Sequence, residues 1–244
     1  MSFVMVDGSN HDILDIVENR QLHYLIKYFS YYTKDALANV EYVCIDIYTP
    51  YMELIKKVFP NAKIVLDRFH IFQNLTRAFN KTRINIMKSD SKNYTKLKNC
   101  WKLLLQLKQD LSNKHYRQRT FGYKWLSNRD RVSLLIDNNK TLKLNYEIYQ
   151  DILFTLKMRD GASFKSLINK DYRNASNYLQ TCLKTFRKYQ DMILLSLQVE
   201  YNNGVIEGQI AKIKRLKTIS CGFKSFSRMK TRIMMMEGLI KVSK

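Results

Sequence analysis

The chain has 244 residues, which suits one large domain or one domain carrying an insertion. Lys and Arg outnumber Asp and Glu by 42 to 21, and a formal charge of +21 points to a polyanionic partner, nucleic acid first of all. No apolar run approaches the roughly 18 residues of a membrane span, so a membrane-spanning protein is set aside as a class.

The charge is unevenly spread. Residues 1–66 hold six basic and eight acidic side chains, a sum of −2, while the remainder holds 36 basic and 13 acidic ones, a sum of +23. A near-neutral core region beside a polycationic one fits a binding surface attached to a fold. A basic protein with no more specific role is the blander alternative.

In chain order, "SFVMVD" and "HDILDIVEN" read as two strands of a hairpin with its turn at "GSN". "QLHYLIKYFSYY" spaces Leu22, Leu25, Ile26 and Phe29 as a helix does. "VEYVCID" is a short strand ending on Asp46. "PYMELIKKVF" is an amphipathic helix with Pro50 in its first turn, and "AKIVLD" is a strand ending on Asp67. The order is β-β-α-β-α-β, an α/β sheet domain.

From Arg68 to about Gln198 the chain has no Pro, and apolar residues recur at three and four. "NCWKLLLQLKQDL", "TLKLNYEIYQDILFTLKM" and "ASNYLQTCLKTFRKYQDMILLSLQ" read as helices. The turn "NNG" then opens a further helix that carries Glu207. The expected division is 1–88, 89–198 as a helical insertion, and 199–244. Cys44, Cys100, Cys182 and Cys221 form no CxxC pair, so a zinc knuckle is not expected. The absence of a signal segment points to a reducing cytoplasm.

Three acids are candidates for chemistry. Asp46 ends a strand, where open α/β sheets bind ligands, although an Asp there also caps helices. Asp67 precedes His70 by three residues, a spacing that suits a cap and a core residue as well as a functional pair. Glu207 is the more telling residue. It lies between Gly204 and Gly208, ahead of Lys212, Lys214, Arg215 and Lys217, with Lys214 seven positions on and returning to its helix face. An acid at the edge of a basic helix is explained if it holds a cation while the lysines hold phosphates; a capping Glu is the alternative. Gly208 leaves room there for a close ligand or a close helix.

The stretches "VCIDIYTPYMELIKKVFPNAKIVLDRFHIFQNLTRAFNKTR" and "NGVIEGQIAKIKRLKTISCGFKSFSRMKTRI" closely resemble the catalytic domain of bacterial insertion-sequence DDE transposases of the ISL-three family. The carrying motifs are Asp-x-x-x-Pro-Tyr, Phe-Pro-Asn-Ala, Asp-Arg-Phe-His and Asn-Gly-x-x-Glu-Gly. The resemblance implies an α/β ribonuclease-H-like domain interrupted by an all-helical insertion. It implies DNA hydrolysis and strand transfer with two Mg²⁺ ions, Mn²⁺ substituting. Asp46 and Glu207 are then catalytic, metal-holding carboxylates, with Asp67 and His70 in support. Lys212, Lys214, Arg215, Lys217, Lys224, Arg228, Lys230 and Arg232 are expected to bind double-stranded DNA, at transposon ends and target, as a homo-oligomer on the nucleoid.

Two departures from the family pattern stand out. The family's first catalytic Asp lies in a strand ahead of the hairpin, and Asp7, Asp12 and Asp15 do not match it. The expectation is therefore a truncated, inactive copy, with a non-catalytic DNA-binding remnant that regulates transposition as the alternative. Gln209 also stands where the family often has Asn.

Overall fold

Strands β1 (Phe3–Val6) and β2 (Ile13–Val17) pair antiparallel, with Val4 opposite Ile16 and a register shift between Met5 and Val6. The connecting turn places His11 at φ 68°. Helix α1 (Leu22–Phe29) and a short α2 (Lys34–Ala38) follow, α2 being one the periodicity did not announce. Then come β3 (Tyr42–Ile45), α3 (Thr49–Val58) and β4 (Lys63–Leu66). β3 and β4 are parallel, with Ile45 opposite Leu66, and parallel strands require a crossover, here α3. Ile64, Val65 and Leu66 are all buried, as expected of a strand covered on both faces. Among the described residues β1 pairs only with β2 and β3 only with β4.

This is a computed structural model, and it describes residues 2–201 and 203–239. The chain divides into two compact units, one joining the residues up to Asp67 with those from Glu200 on, the other running over Arg68–Val199.

The second unit begins with α4 (Arg68–Ser89), which groups here rather than with the strands before it. It continues through α5 (Tyr94–Asn99), α6 (Trp101–Leu105), strands β5 (Tyr116–Gln118) and β6 (Lys124–Leu126), α7 (Asn128–Asp137), α8 (Lys140–Met158), α9 (Gly161–Asn169), α10 (Asn177–Lys188) and α11 (Gln190–Gln198). Its core is helix on helix: Phe79 of α4 stacks on Tyr149 of α8 at 4.6 Å between ring centroids. Ser127, Asn139, Asp160 and Ser176 cap the helices that follow them, so polar residues in the sequence mark the helix starts. Arg68 donates to the carbonyls of Ser196 and Val199 at 3.2 and 2.9 Å, which ties the beginning of the unit to its end.

The second unit is not all-helical: β5 and β6 form an antiparallel hairpin. Three-residue strands are too short to show a period of two, and their Tyr and Trp sit between helix-like runs. The local sign was Gly122, which takes φ 67° with Tyr123 at φ 59°. The last long apolar stretch also divides, with Tyr189 leaving the helical region between α10 and α11.

Helices α12 (Gly204–Ile219) and α13 (Phe226–Met236) return to the first unit. Ile213, Leu216, Phe226 and Met229 pack with Ile13 and Ile16 on one side of the hairpin. On the other side Val17, Phe3 and Met5 pack with Leu25, Phe29 and Leu54. The hairpin is therefore the middle layer of helix, sheet and helix. All four cysteines are free, and no helix of the described residues is long and apolar enough to cross a membrane.

Candidate active site

The register of β3 and β4 builds the site. Ile45 lies opposite Leu66, and the Asp67 amide donates to the Ile45 carbonyl at 2.8 Å. Asp46 and Asp67 are therefore neighbours at the carboxyl ends of two parallel strands. A carboxylate oxygen of each lies within 4.8 Å of the other. Asp67 is buried, 2% exposed, whereas Asp46 keeps access to solvent. His70 follows three residues after Asp67, one helical turn into α4, where the second unit has begun.

The start of α12 lies on this acid pair. The Asn203 side-chain amide donates to Asp46 Oδ1 at 2.9 Å, and the Asn203 backbone N–H to Asp67 Oδ1 at 3.4 Å. The Glu207 amide in turn donates to the Asn203 carbonyl at 3.0 Å, so Glu207 stands one helical turn beyond the residue that touches both acids. Glu207 is exposed, and so are Lys214 on the same helix face and Lys212, Arg215 and Lys217 around it. It is not one of the close group of ligand atoms to which Asp46 and Asp67 belong. Among the described residues a Cβ on Gly208 would meet nothing within 4 Å, so the space beside Glu207 is open there.

The motif residues have identifiable work. Pro50 lies in the first turn of α3, and Tyr51 beside it stacks edge-on with Phe3 at 5.4 Å and with Tyr48 at 4.9 Å. Burial raises the Tyr51 hydroxyl above its usual value, and the nearby Asp46 adds to that against Arg20. In Phe-Pro-Asn-Ala, Phe59 packs on Phe29 at 5.0 Å and Asn61 donates to the Ala38 carbonyl at 2.9 Å. That motif fixes the turn into β4 and so the height at which Asp67 emerges. Gln209 is buried and donates to the His11 carbonyl at 2.8 Å, holding α12 against the hairpin turn.

The other acids near the hairpin are engaged elsewhere. Asp15 accepts from Tyr28 at 2.6 Å and pairs with Lys230. Burial works to raise its carboxyl, but the bonds from Lys230, Tyr28 and the Ile16 amide outweigh it and hold the group below the usual carboxylate value. The Ser9 amide lowers the Asp7 carboxyl in the turn. Of the eight expected DNA-binding residues, Lys230 is held by Asp15, and Lys212 lies 3.7 Å from Glu237. Lys214, Arg215, Lys217, Lys224, Arg228 and Arg232 are exposed.

Asn203 is the site residue that sequence reasoning missed. It was legible only as a turn former, although a carboxamide directly ahead of the Glu207 helix was a usable sign. The oxygens of Asp46 and Asp67 suit a hard divalent cation, whose oxygen ligands stand at about 2.0–2.6 Å and whose charge offsets their repulsion.

A family model described as "Transposase", that of the ISL-three DDE transposases, matches residues 1–233. Among curated proteins the chain is similar to one from Lactococcus lactis subsp. lactis named "ATP-dependent protease", 38% identical over 113 residues, or 46% of this chain. Those residues span 36% of that protein, about a third of its length. No solved structure matches.

Proposed function

For a chain that belongs to the ISL-three family of DDE transposases, we propose that Asp46 and Glu207 are the metal-holding carboxylates of a phosphodiester-cleaving and strand-transferring site. The observation that carries this is the Asn203 bridge: one residue at the start of the Glu207 helix bonds both strand-end acids. A divalent ion held there would activate the attacking oxygen and stabilise the leaving one. The chain's own part is to aim Asp46 from the end of β3, to keep Asp67 and, one helical turn along, His70 in support, and to present Glu207 beside open space. Asp15 does not serve as a further ligand, since Lys230 and Tyr28 occupy it.

The same reading takes the first unit as a ribonuclease-H-like α/β domain interrupted after β4. Support comes from the parallel β3-α3-β4 unit, from the hairpin covered on both faces, and from an insertion whose ends are tied by Arg68. Double-stranded DNA is the partner, met by the exposed cations from Lys214 to Arg232, with Mg²⁺ or Mn²⁺ as the ion and self-association on the DNA.

The test is nicking of DNA bearing the element's ends, with Mg²⁺ or Mn²⁺, for the chain and for Asp46→Asn and Glu207→Gln. Any metal-dependent nicking by the chain should fall by at least about a hundredfold in either variant, the scale of a misplaced reacting group, while DNA binding is kept. Nicking that survives either substitution removes that residue from the site. Metal-independent binding with no nicking by any version favours a DNA-binding regulator of transposition instead.

A further inference from the structure

The second unit carries a surface that neither the carboxylates nor the basic α12 explains. Residues 91–129 hold ten Lys or Arg and one acid, Asp110. That acid is already bonded to Lys157 at 2.7 Å. Towards the end of this cationic stretch stands the β5–β6 hairpin.

Its register puts Arg117 opposite Trp125, so the two side chains share one face. The Arg117 guanidinium also lies 5.2 Å from the centre of the Tyr123 ring. Tyr123 is 55% exposed and Trp125 69%. One face of the ribbon thus offers ring, cation and ring to solvent. The base beneath is fixed. Phe121 is buried, with the cations of Lys96 and Arg131 at 5.7 and 5.8 Å from its ring. Ser127 and Asp130 close a capping box, and His115 Nε2 lies 3.1 Å from Asp130.

Cations alone would serve a duplex, which presents phosphates and base edges while its base faces are stacked on one another. Exposed flat rings add something only when base faces are free. Stacking on aromatic side chains, with cations along the backbone, is how proteins hold unpaired strands without regard to sequence.

We propose that the Tyr123–Arg117–Trp125 face of the β5–β6 hairpin binds unpaired DNA. Bases stack on the two rings, and Arg117 between them, with Arg119 two residues on, meets the phosphates. The inference rests on the reading of the chain as a DNA transposase but uses none of the proposed catalytic residues. A strand freed at a cut end is the ligand it fits.

The chain has two tryptophans, Trp101 and Trp125, so Trp101→Phe makes Trp125 a single fluorescent reporter. Titrated with an oligothymidylate, this variant should show quenching of Trp125, and a blunt duplex of equal phosphate content should quench it far less. Tyr123→Ala and Trp125→Ala should each weaken oligothymidylate binding by about tenfold, while duplex affinity stays within about twofold. Trp125→Phe should restore most of the loss, and circular dichroism should show the hairpin variants folded. Unchanged oligothymidylate affinity in the double alanine variant would overturn the proposal. So would an equal loss on the duplex, which would make the face a phosphate surface. An oligoribonucleotide bound more than tenfold tighter than its DNA counterpart would overturn the DNA assignment. The oligothymidylate titration is run without a divalent ion and involves no cleavage, so a failed nicking test and a failed stacking test are distinguishable.

Discussion

Asn203 offers the sharpest perturbation. Asp46 and Asp67 hold carboxylate oxygens within 4.8 Å of each other. Two unit charges at that separation repel by about 0.9 kcal/mol in bulk water and about 3.5 kcal/mol at an effective dielectric of 20. Asn203 offsets part of this by donating its side-chain amide to Asp46 and its backbone N–H to Asp67. Asn203→Ala keeps the backbone bond and removes the side-chain one, a hydrogen bond to a charged acceptor with some solvent access, worth about 1–1.5 kcal/mol. For a chain of this length that corresponds to a melting temperature lower by about 2–6 °C. Asn203→Asp should do worse, because it replaces the donor by a third negative charge about 3 Å from Asp46, which adds roughly 1–5 kcal/mol of repulsion. Thermal melting followed by circular dichroism, with and without Mg²⁺, reads both effects. Mg²⁺ should recover much of the loss in Asn203→Asp and little of it in Asn203→Ala. If Asn203→Asp melts no lower than Asn203→Ala without the ion, the acid pair does not carry the electrostatic load assigned to it.

Three further predictions follow from named contacts. The Asp15 carboxyl is depressed in the folded chain, so its bond to Lys230 contributes stability above the ordinary carboxylate value and loses it as pH falls through the lower folded value. Lys230→Ala should therefore cost about 0.5–1 kcal/mol in urea unfolding at pH 7, and the difference should close at strongly acid pH. Gly208→Ala should raise the melting temperature slightly, since a helix interior favours Ala over Gly by about 0.5–1 kcal/mol and the added Cβ meets nothing within 4 Å. The same substitution should weaken DNA or ion binding if the space beside Glu207 is used by a ligand. Lys214→Ala and Arg215→Ala should each flatten the salt dependence of duplex binding by about one unit of slope, read from affinities across a salt series.

The sequence carried the first unit well because its signals are local and strong. Short apolar runs ending on Asp46 and Asp67, Pro50 in the first turn of α3 and the turn ahead of Glu207 each name an element. Strand pairing then brings the two Asp together without any side-chain signal. The hairpin at β5–β6 was hidden because three-residue strands have no readable period, and Gly122 alone did not outweigh the helical runs around it. The role of Asn203 was hidden for another reason. Its partner Asp46 is 157 positions away, and a turn-forming Asn looks the same whether its amide meets water or a carboxylate. Gln209 is similar, since its bond to the His11 carbonyl depends on a turn 198 positions earlier.

The central claim is that Glu207 shares a divalent-ion site with the acids that end β3 and β4. Iron-promoted backbone cleavage tests it directly and needs no catalytic turnover. Ferrous ion with ascorbate and peroxide cuts the chain close to where the ion sits, and the fragments are mapped by mass. Cuts beside Asp46, beside Asp67 and beside Glu207, all suppressed together by excess Mg²⁺ and all lost in Asp46→Asn, are the predicted result. Cuts near Asp46 and Asp67 with none near Glu207, or cuts that Mg²⁺ does not suppress, would contradict it.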